Sequence, residues 1–396
     1  MKEQKKQPEL RFKGFTDDWE QRKFGELYKK NLERNKDHFS SDRTISIATM
    51  RFKKEGNGAA ENSLVSYKVL REGDIAFEGH TSKRFAFGRF VLNDIGDGIM
   101  SPRFTTLRPT QDMPIKFWKQ YIHYEPIMRY PIVNSTKLGT MMNELVVDEF
   151  LNQPVLVPEL SEQQKIGSFF KQLDNTITLQ QRKLDLLTKL KQGYLQQLFP
   201  SKDKYLPRLR FKEFNGDWKQ CTMGEIFTER TERSGEGELI SVTINSGVVK
   251  ASELDRKDNS SKNKSNYKKV EIGDIAYNSM RMWQGASGYS PYKGILSPAY
   301  TVITPKNEID SEFFAYDFKR FNMIQAFKRN SQGLTSDTWN LKFPTLKSIK
   351  INVPHFDEQR RISNTFNQVD NMLLLQQTKI DQLNKLKQGY LQKLFP

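Results

Sequence analysis

Two stretches of this 396-residue chain place apolar residues at alternating spacings of four and three. The first runs through Ile166, Phe170, Leu173, Ile177, Gln180, Leu184, Leu187, Lys191, Tyr194 and Leu198. The second runs through Ile362, Phe366, Val369, Leu373, Gln376, Ile380, Leu383, Lys387, Tyr390 and Leu394. Such a heptad pattern predicts two long helices with an apolar seam. At ~36 residues each they would be about 54 Å long. Two equal seams in one chain most simply pack on each other, with the polar breaks at Gln180 and Gln376 fixing register. Ser161 with Gln164 reads as an N-cap and capping box for the first helix, and Asp357 as the N-cap of the second.

The residues before each seam follow a different pattern. Short segments of strand type, Ile45–Ala48, Asp74–Phe77, Arg89–Leu92 and Thr105–Leu107, alternate with Gly, Asn and Asp. Each half also carries an aromatic stripe at helical spacing: Phe117, Tyr121 and Tyr124 before Pro126, and Phe314, Phe318, Phe321, Ile324 and Phe327. Both stripes read as core, the second as one face of one helix. The fold class expected is α+β. Two pseudo-symmetric domains of mixed sheet and short helices, residues 1–158 and 201–354, each precede a long helix, residues 159–200 and 355–396.

The chain is written twice. Pro8-Glu-Leu-Arg-Phe-Lys-Gly-Phe-Thr-Asp-Asp-Trp19 returns as Pro207-Arg-Leu-Arg-Phe-Lys-Glu-Phe-Asn-Gly-Asp-Trp218, and Gly73-Asp-Ile-Ala-Phe77 as Gly273-Asp-Ile-Ala-Tyr277. Residues 157–200 return as 353–396, with 26 of 44 positions identical. Between Tyr28 and Glu149 the copies share little beyond such anchors. Similarity concentrated at one end implies one job held in common and two jobs that differ.

The short connection Pro200–Pro207 sets the helix direction. Parallel helices would oblige the second domain to begin and finish ~50 Å apart. Antiparallel helices let it begin and finish at one place, as compact domains do. The expectation is a dumb-bell with pseudo-twofold symmetry.

Composition narrows the partner. Lys and Arg number 63 against 47 Asp and Glu, a net charge of +16, which favours a polyanion such as nucleic acid. The single cysteine, Cys221, leaves no disulfide framework and points to a reducing compartment, the cytoplasm. No segment approaches the ~20 apolar residues of a membrane span. His38, His80, His123 and His355 lack metal-ligand spacing, and no Walker A or G-x-S-x-G motif is present. Asp74 and Asp274, each following a glycine, read as turn caps rather than catalytic acids. The chain reads as a non-enzyme.

A basic dumb-bell suits a bipartite site on a duplex, with phosphate contacts for affinity and groove contacts for sequence choice. Half-sites one helical turn apart are ~34–36 Å between centres, within the reach of the rod. The loop after the Gly-Asp strand is His80-Thr-Ser-Lys-Arg84 in copy one and Asn278-Ser-Met-Arg-Met-Trp-Gln284 in copy two. Arg suits guanine, and Asn or Gln suits adenine. Asn134-Ser-Thr-Lys-Leu-Gly139 and Asn330-Ser-Gln-Gly-Leu334 form a second matched pair of loops, and Lys250 to Lys269 is a basic run that faces phosphate or is simply solvated. The DNA-contact candidates are Thr81, Ser82, Lys83, Arg84, Arg103, Lys137, Lys262, Lys264, Asn278, Arg281, Gln284 and Gln332. A stand-alone DNA-modifying enzyme and a coiled-coil adaptor that binds no DNA remain the alternatives.

The duplicated opening with Trp19 and Trp218, the paired Gly-Asp-Ile strands, and Pro-x3-Glu-Gln-x2-Ile at Pro158, Glu162, Gln163, Ile166 and at Pro354, Glu358, Gln359, Ile362 together resemble the specificity subunit of type I restriction–modification enzymes. The resemblance spans essentially the whole chain. It implies two target recognition domains joined by antiparallel helices, and a subunit with no catalysis or cofactor of its own. It implies assembly with two DNA adenine methyltransferase subunits using S-adenosylmethionine, and with two restriction subunits using ATP and Mg. Two copies of one partner need two copies of one surface. The repeated Lys189, Gln192, Gly193, Tyr194 and Lys385, Gln388, Gly389, Tyr390 are the candidates. The variable domains match the family only at scaffold strands, so the resemblance transfers no base contact.

Overall fold

The computed structural model describes residues 7–36, 39–83, 85–201, 204–255, 260–336 and 338–396. The chain divides into two units, residues 1–181 with 379–396, and residues 182–378. The long helices are Leu160–Gln197 and Phe356–Leu394, of 38 and 39 residues, and each gives one half to either unit.

In the first unit the two helix halves run antiparallel. Phe170 stacks on Phe395 at 6.1 Å, and four residues on, Asp174 accepts a 2.7 Å ion pair from Lys387. The second unit repeats this at an offset of 196. Lys191 pairs with Asp370 at 2.6 Å, and Phe199 lies 6.0 Å from Phe366. The seam residues Ile166, Phe170, Leu187, Leu198, Ile362, Phe366, Val369, Gln376, Ile380 and Leu394 are buried, and the remaining seam positions are half-buried. The lysines within the seam are thus explained by an aspartate on the facing helix.

Both helices begin earlier than the sequence indicates. The N–H groups of Glu162 and Gln163 donate to the Glu159 carbonyl, and those of Glu358 and Gln359 to the His355 carbonyl. Ser161 and Asp357 therefore lie inside the first turn and do not cap it. Gln163 and Gln359 explain the shift, because their side-chain amides donate to the carbonyls of Pro158 and Pro354, both at 2.9 Å. These bonds fix the first turn from the proline onward.

The Glu of the same motif ties the repeat's opening to its helix. Glu162 is fully buried and accepts two hydrogen bonds from Arg11, at 3.0 and 2.7 Å, and one from Trp19 Nε1 at 3.2 Å. Glu358 receives the same set from Arg210, at 2.8 and 2.6 Å, and from Trp218 at 3.2 Å. A buried carboxylate needs such charge-assisted partners. Residues alike at the two ends of each repeat are therefore two sides of one cluster. Strand pairing closes the same joint, Glu20–Lys23 with Pro154–Val157 and Lys219–Thr222 with Lys350–Val353.

Each unit holds a four-stranded antiparallel sheet. The first runs Tyr28–Lys30, Thr105–Pro109, Ile75–Glu78, Arg89–Leu92; the second runs Phe227–Glu229, Tyr300–Pro305, Ile275–Asn278, Ser287–Tyr289. Residues 75–77 and 275–277, on the central strands, are buried throughout because both faces are covered. Ile75 and Phe77 join the large core with Trp118 and Phe150, while Ala76 faces a second cluster with Val91 and Ile45. Of the expected strand Ile45–Ala48, only Ile45–Ser46 pairs, with Arg51–Phe52.

The second aromatic stripe is two helices, Ser311–Asp317 and Phe321–Asn330. Arg320 separates them in an extended conformation, its guanidinium bonded to Asp317 at 2.5 Å and to the Pro200 carbonyl. Phe314, Phe318 and Phe327 are core as expected, but Phe321 opens the second helix at 75% exposure.

The strand Ile75–Glu78 is entered through a tight turn in which Gly73 has φ +93°. Asp74 closes it, its carboxylate accepting from the Arg71 N–H at 2.9 Å, as Asp274 accepts from the Glu271 N–H at 2.8 Å. Each aspartate is thus a turn cap. Each is also buried against an arginine, Arg108 at 2.8 Å and Arg230 at 2.7 Å.

Candidate functional site

The central strand of each sheet delivers the chain to one rim, and there the copies diverge. In the second unit Ile275–Asn278 leads into a loop closed by Gly285, at φ +86°. Asn278 accepts the Met280 N–H at 3.0 Å, and Arg281 donates to Gln284 Oε1 at 3.1 Å. Leu341 N–H donates to the Ser279 carbonyl at 2.8 Å, so the hairpin-like turn bridged between Gln332 and Asn340 stands against this loop. Trp283 meets Trp339 edge-on at 5.2 Å, with Lys328 5.6 Å above the Trp339 ring. Asn278, Arg281, Gln284 and Gln332 therefore share one surface.

That surface is held from beneath. Lys319 donates to the carbonyls of Ile244, at 2.8 Å, and Gly285. Burial brings its ammonium pKa down to about 8. The lysine thus fixes the end of the loop at Gly285 rather than reaching outward.

The first unit builds the same joint from different residues. Asn143 N–H donates to the Gly79 carbonyl at 2.9 Å, and Asn143 Nδ2 to the Ala86 carbonyl at 3.3 Å. Gly79 is required, since a Cβ there would stand 2.0 Å from the Asn143 oxygen. Thr136–Lys137 and Glu144–Leu145 pair to form the hairpin base. Thr81, Ser82, Lys83 and Lys137 are exposed around this joint. Beside it lies a cavity of about 340 Å³ lined by Lys83, Phe85, Arg89, His123 and Arg129 among others.

The remaining candidates divide. Arg84 lies outside the described residues. Arg103 is exposed on the turn before Thr105–Pro109, and Lys262 and Lys264 lie on the loop before Lys268–Val270. Among the described residues no hydrogen bond or ring contact ties these three to the paired loops. Sequence reasoning missed Lys319, Trp283 and Trp339. Trp283 stood within the loop already singled out, but its partner is 56 residues away and carries no sequence signal.

The repeated helix surface is open in part. Lys189, Gln192, Lys385 and Gln388 are exposed. A Cβ added at Gly193 or Gly389 would meet nothing within 4 Å. The tyrosines are half-buried: Tyr390 packs edge-on to Phe169 at 4.8 Å, and Tyr194 lies against the second unit's core.

Among the described residues no group of three or more His, Cys, Asp or Glu is placed to hold a metal ion. No helix among them is long and apolar enough to cross a membrane. A family model described as the type I restriction modification DNA specificity domain matches the chain twice, over residues 16–189 and 215–385. The type I restriction enzyme MjaVIII specificity subunit of Methanocaldococcus jannaschii is 23% identical over 289 residues, 67% of this chain and 67% of that protein. The crystal structure of a type I restriction–modification S subunit from M. genitalium superposes with a TM-score of 0.57 at 17% identity, covering 98% of this chain and 99% of that one. A chain from a structure concerned with complex assembly and conformational transition of the type I system gives 0.53 at 16%, covering 95% and 97%. At these identities the two structural likenesses are of fold.

Proposed function

The chain belongs to the type I restriction–modification DNA specificity family, and on that premise we propose that its two units read the two halves of a bipartite duplex target. One observation carries this reading. In each unit a hairpin turn is hydrogen-bonded to the chain leaving the strand that follows Gly-Asp, and the loop residues there differ while the strands before them agree. Arg281 and Gln284 offer donors and acceptors suited to guanine and adenine. Thr81, Ser82, Arg84, Asn278 and Gln332 complete the base-facing set. Lys83, Arg103, Lys137, Lys262 and Lys264 contact phosphate and give the binding its salt dependence.

The helices set the spacing between the two readers. They also present Lys189, Gln192, Gly193 and Tyr194, and their counterparts Lys385, Gln388, Gly389 and Tyr390, to two adenine methyltransferase subunits. The open glycines support this, because nothing in the chain itself needs the missing Cβ. Two restriction subunits complete the assembly. S-adenosylmethionine, ATP and Mg serve those partners, and the chain directs their chemistry without performing any. Sequencing methylated adenines in cells with and without this chain tests the reading. A bipartite methylated motif should vanish when the chain is absent; its persistence would refute the role.

A further inference from the structure

Leu334 is fully exposed at 102%, and Leu138 is 74% exposed. They stand 196 residues apart, the offset that relates the long helices, as do Asn134 and Asn330, and Ser135 and Ser331, just before them. Leu138 directly follows Thr136–Lys137 at the start of its hairpin turn, and Leu334 follows the bridged residue Gln332 by two. A glycine flanks each, Gly139 after Leu138 and Gly333 before Leu334. Each turn is bonded to the exit of the central strand, through Asn143 to Gly79 and through Leu341 to Ser279. The leucine is therefore held beside the loop whose polar side chains face the target.

We infer that Leu138 and Leu334 are apolar specificity residues, each contacting the C5-methyl group of a thymine in the major groove of its own half-site. This rests on the DNA-reading role proposed above. Leu334 stands alone among Gln332, Thr335 and Ser336, and beside Lys137 and Thr140 only Met141, 92% exposed, and the half-buried Met142 join Leu138; either patch is too small for a protein interface, which needs about 800 Å² per partner. The major groove admits a two-stranded ribbon, and the thymine methyl is its one apolar mark. The Lys, Arg, Asn and Gln side chains of the loops end in polar groups that cannot report that mark.

The test uses the full chain in complex with its methyltransferase subunits and the methylated target as duplex. Each thymine is replaced by uracil in turn, which deletes only the methyl group. One position in each half should lose about fourfold in affinity, the worth of one buried methyl. That sensitivity should disappear in one half with Leu138→Ala and in the other with Leu334→Ala. Both side chains are exposed, so neither substitution threatens folding. The inference is overturned if both variants keep the wild-type uracil profile, or if they weaken binding to unrelated duplex as much as to target. The first result is also what a leucine covered by a protein partner would give. A complex that binds no duplex at any salt concentration would instead refute the DNA-reading role itself.

Discussion

Arg108 and Thr304 occupy the same register position in the two sheets, opposite Lys29 and Thr228, but the arginine that neutralises the buried aspartate comes from the strand Thr105–Pro109 in one copy and from the residue just past Phe227–Glu229 in the other. In the first unit Arg108 binds Asp74 while Asn31 donates to the same carboxylate at 3.3 Å. In the second, Arg230 stands where Asn31 stood and binds Asp274, while Thr304 donates to it at 3.0 Å. The charge is kept and its source has moved.

A paired exchange follows. Arg108→Thr alone strands a buried carboxylate and should destabilise the first unit by about 3 kcal/mol or more. Adding Asn31→Arg rebuilds the second unit's arrangement and should recover more than half of the loss. Urea denaturation of the two variants measures the coupling. Equal losses in the single and double variants would show that the two sites are not interchangeable.

His123 makes the first unit sensitive to acid. Its Nε2 accepts the Leu92 N–H at 3.2 Å, and burial, reinforced by Lys119 and Arg89, brings its pKa down to about 4. The unfolded imidazole takes up its proton near 6.5. Between those values the unfolded chain binds more protons, so stability falls as pH drops from about 6.5 toward 4, by up to about 3 kcal/mol. His123→Gln keeps an acceptor without the titration. Thermal unfolding from pH 7 to pH 4.5 should therefore show a shallower decline for the variant, and identical slopes would assign the acid loss elsewhere.

Gly193 and Gly389 separate folding from assembly. Alanine at either site meets open space in the chain and favours a helix by about 1 kcal/mol over glycine. Gly193→Ala and Gly389→Ala should leave the lone chain as stable or more so, while weakening its association with the methyltransferase subunits. Thermal unfolding and size-exclusion of the mixed subunits read the two effects apart. Unchanged assembly with both alanines would remove these glycines from the docking surface.

The elements most legible in the sequence were those with long-range periodicity. The seam from Ile166 to Leu198 needs only side-chain spacing to be seen, and its antiparallel pairing follows from the short Pro200–Pro207 connection. Contacts between residues distant in sequence were not legible. Glu162 and Trp19 were both visible as repeated residues, but not that one accepts a hydrogen bond from the other. Local rules failed where tertiary contacts outweigh them. Ser161 has the residue type of an N-cap, but Gln163 anchors the turn two residues earlier. Phe321 fits the apolar spacing, but Arg320 breaks the helix just before it. The surface proposed to read the target was half legible. The loop Asn278–Gln284 stood out by its polar side chains, whereas Lys319, which fixes it through carbonyls, has no motif.

Exchange of one unit's variable segment tests the central claim most directly. Residues 28–149 are replaced by the equivalent segment of another family member, and methylated adenines are then sequenced genome-wide. The account predicts a methylated motif in which one half and the spacer stay as before and the other half is new. A motif changed in both halves, or in neither, would contradict two independent readers on one scaffold.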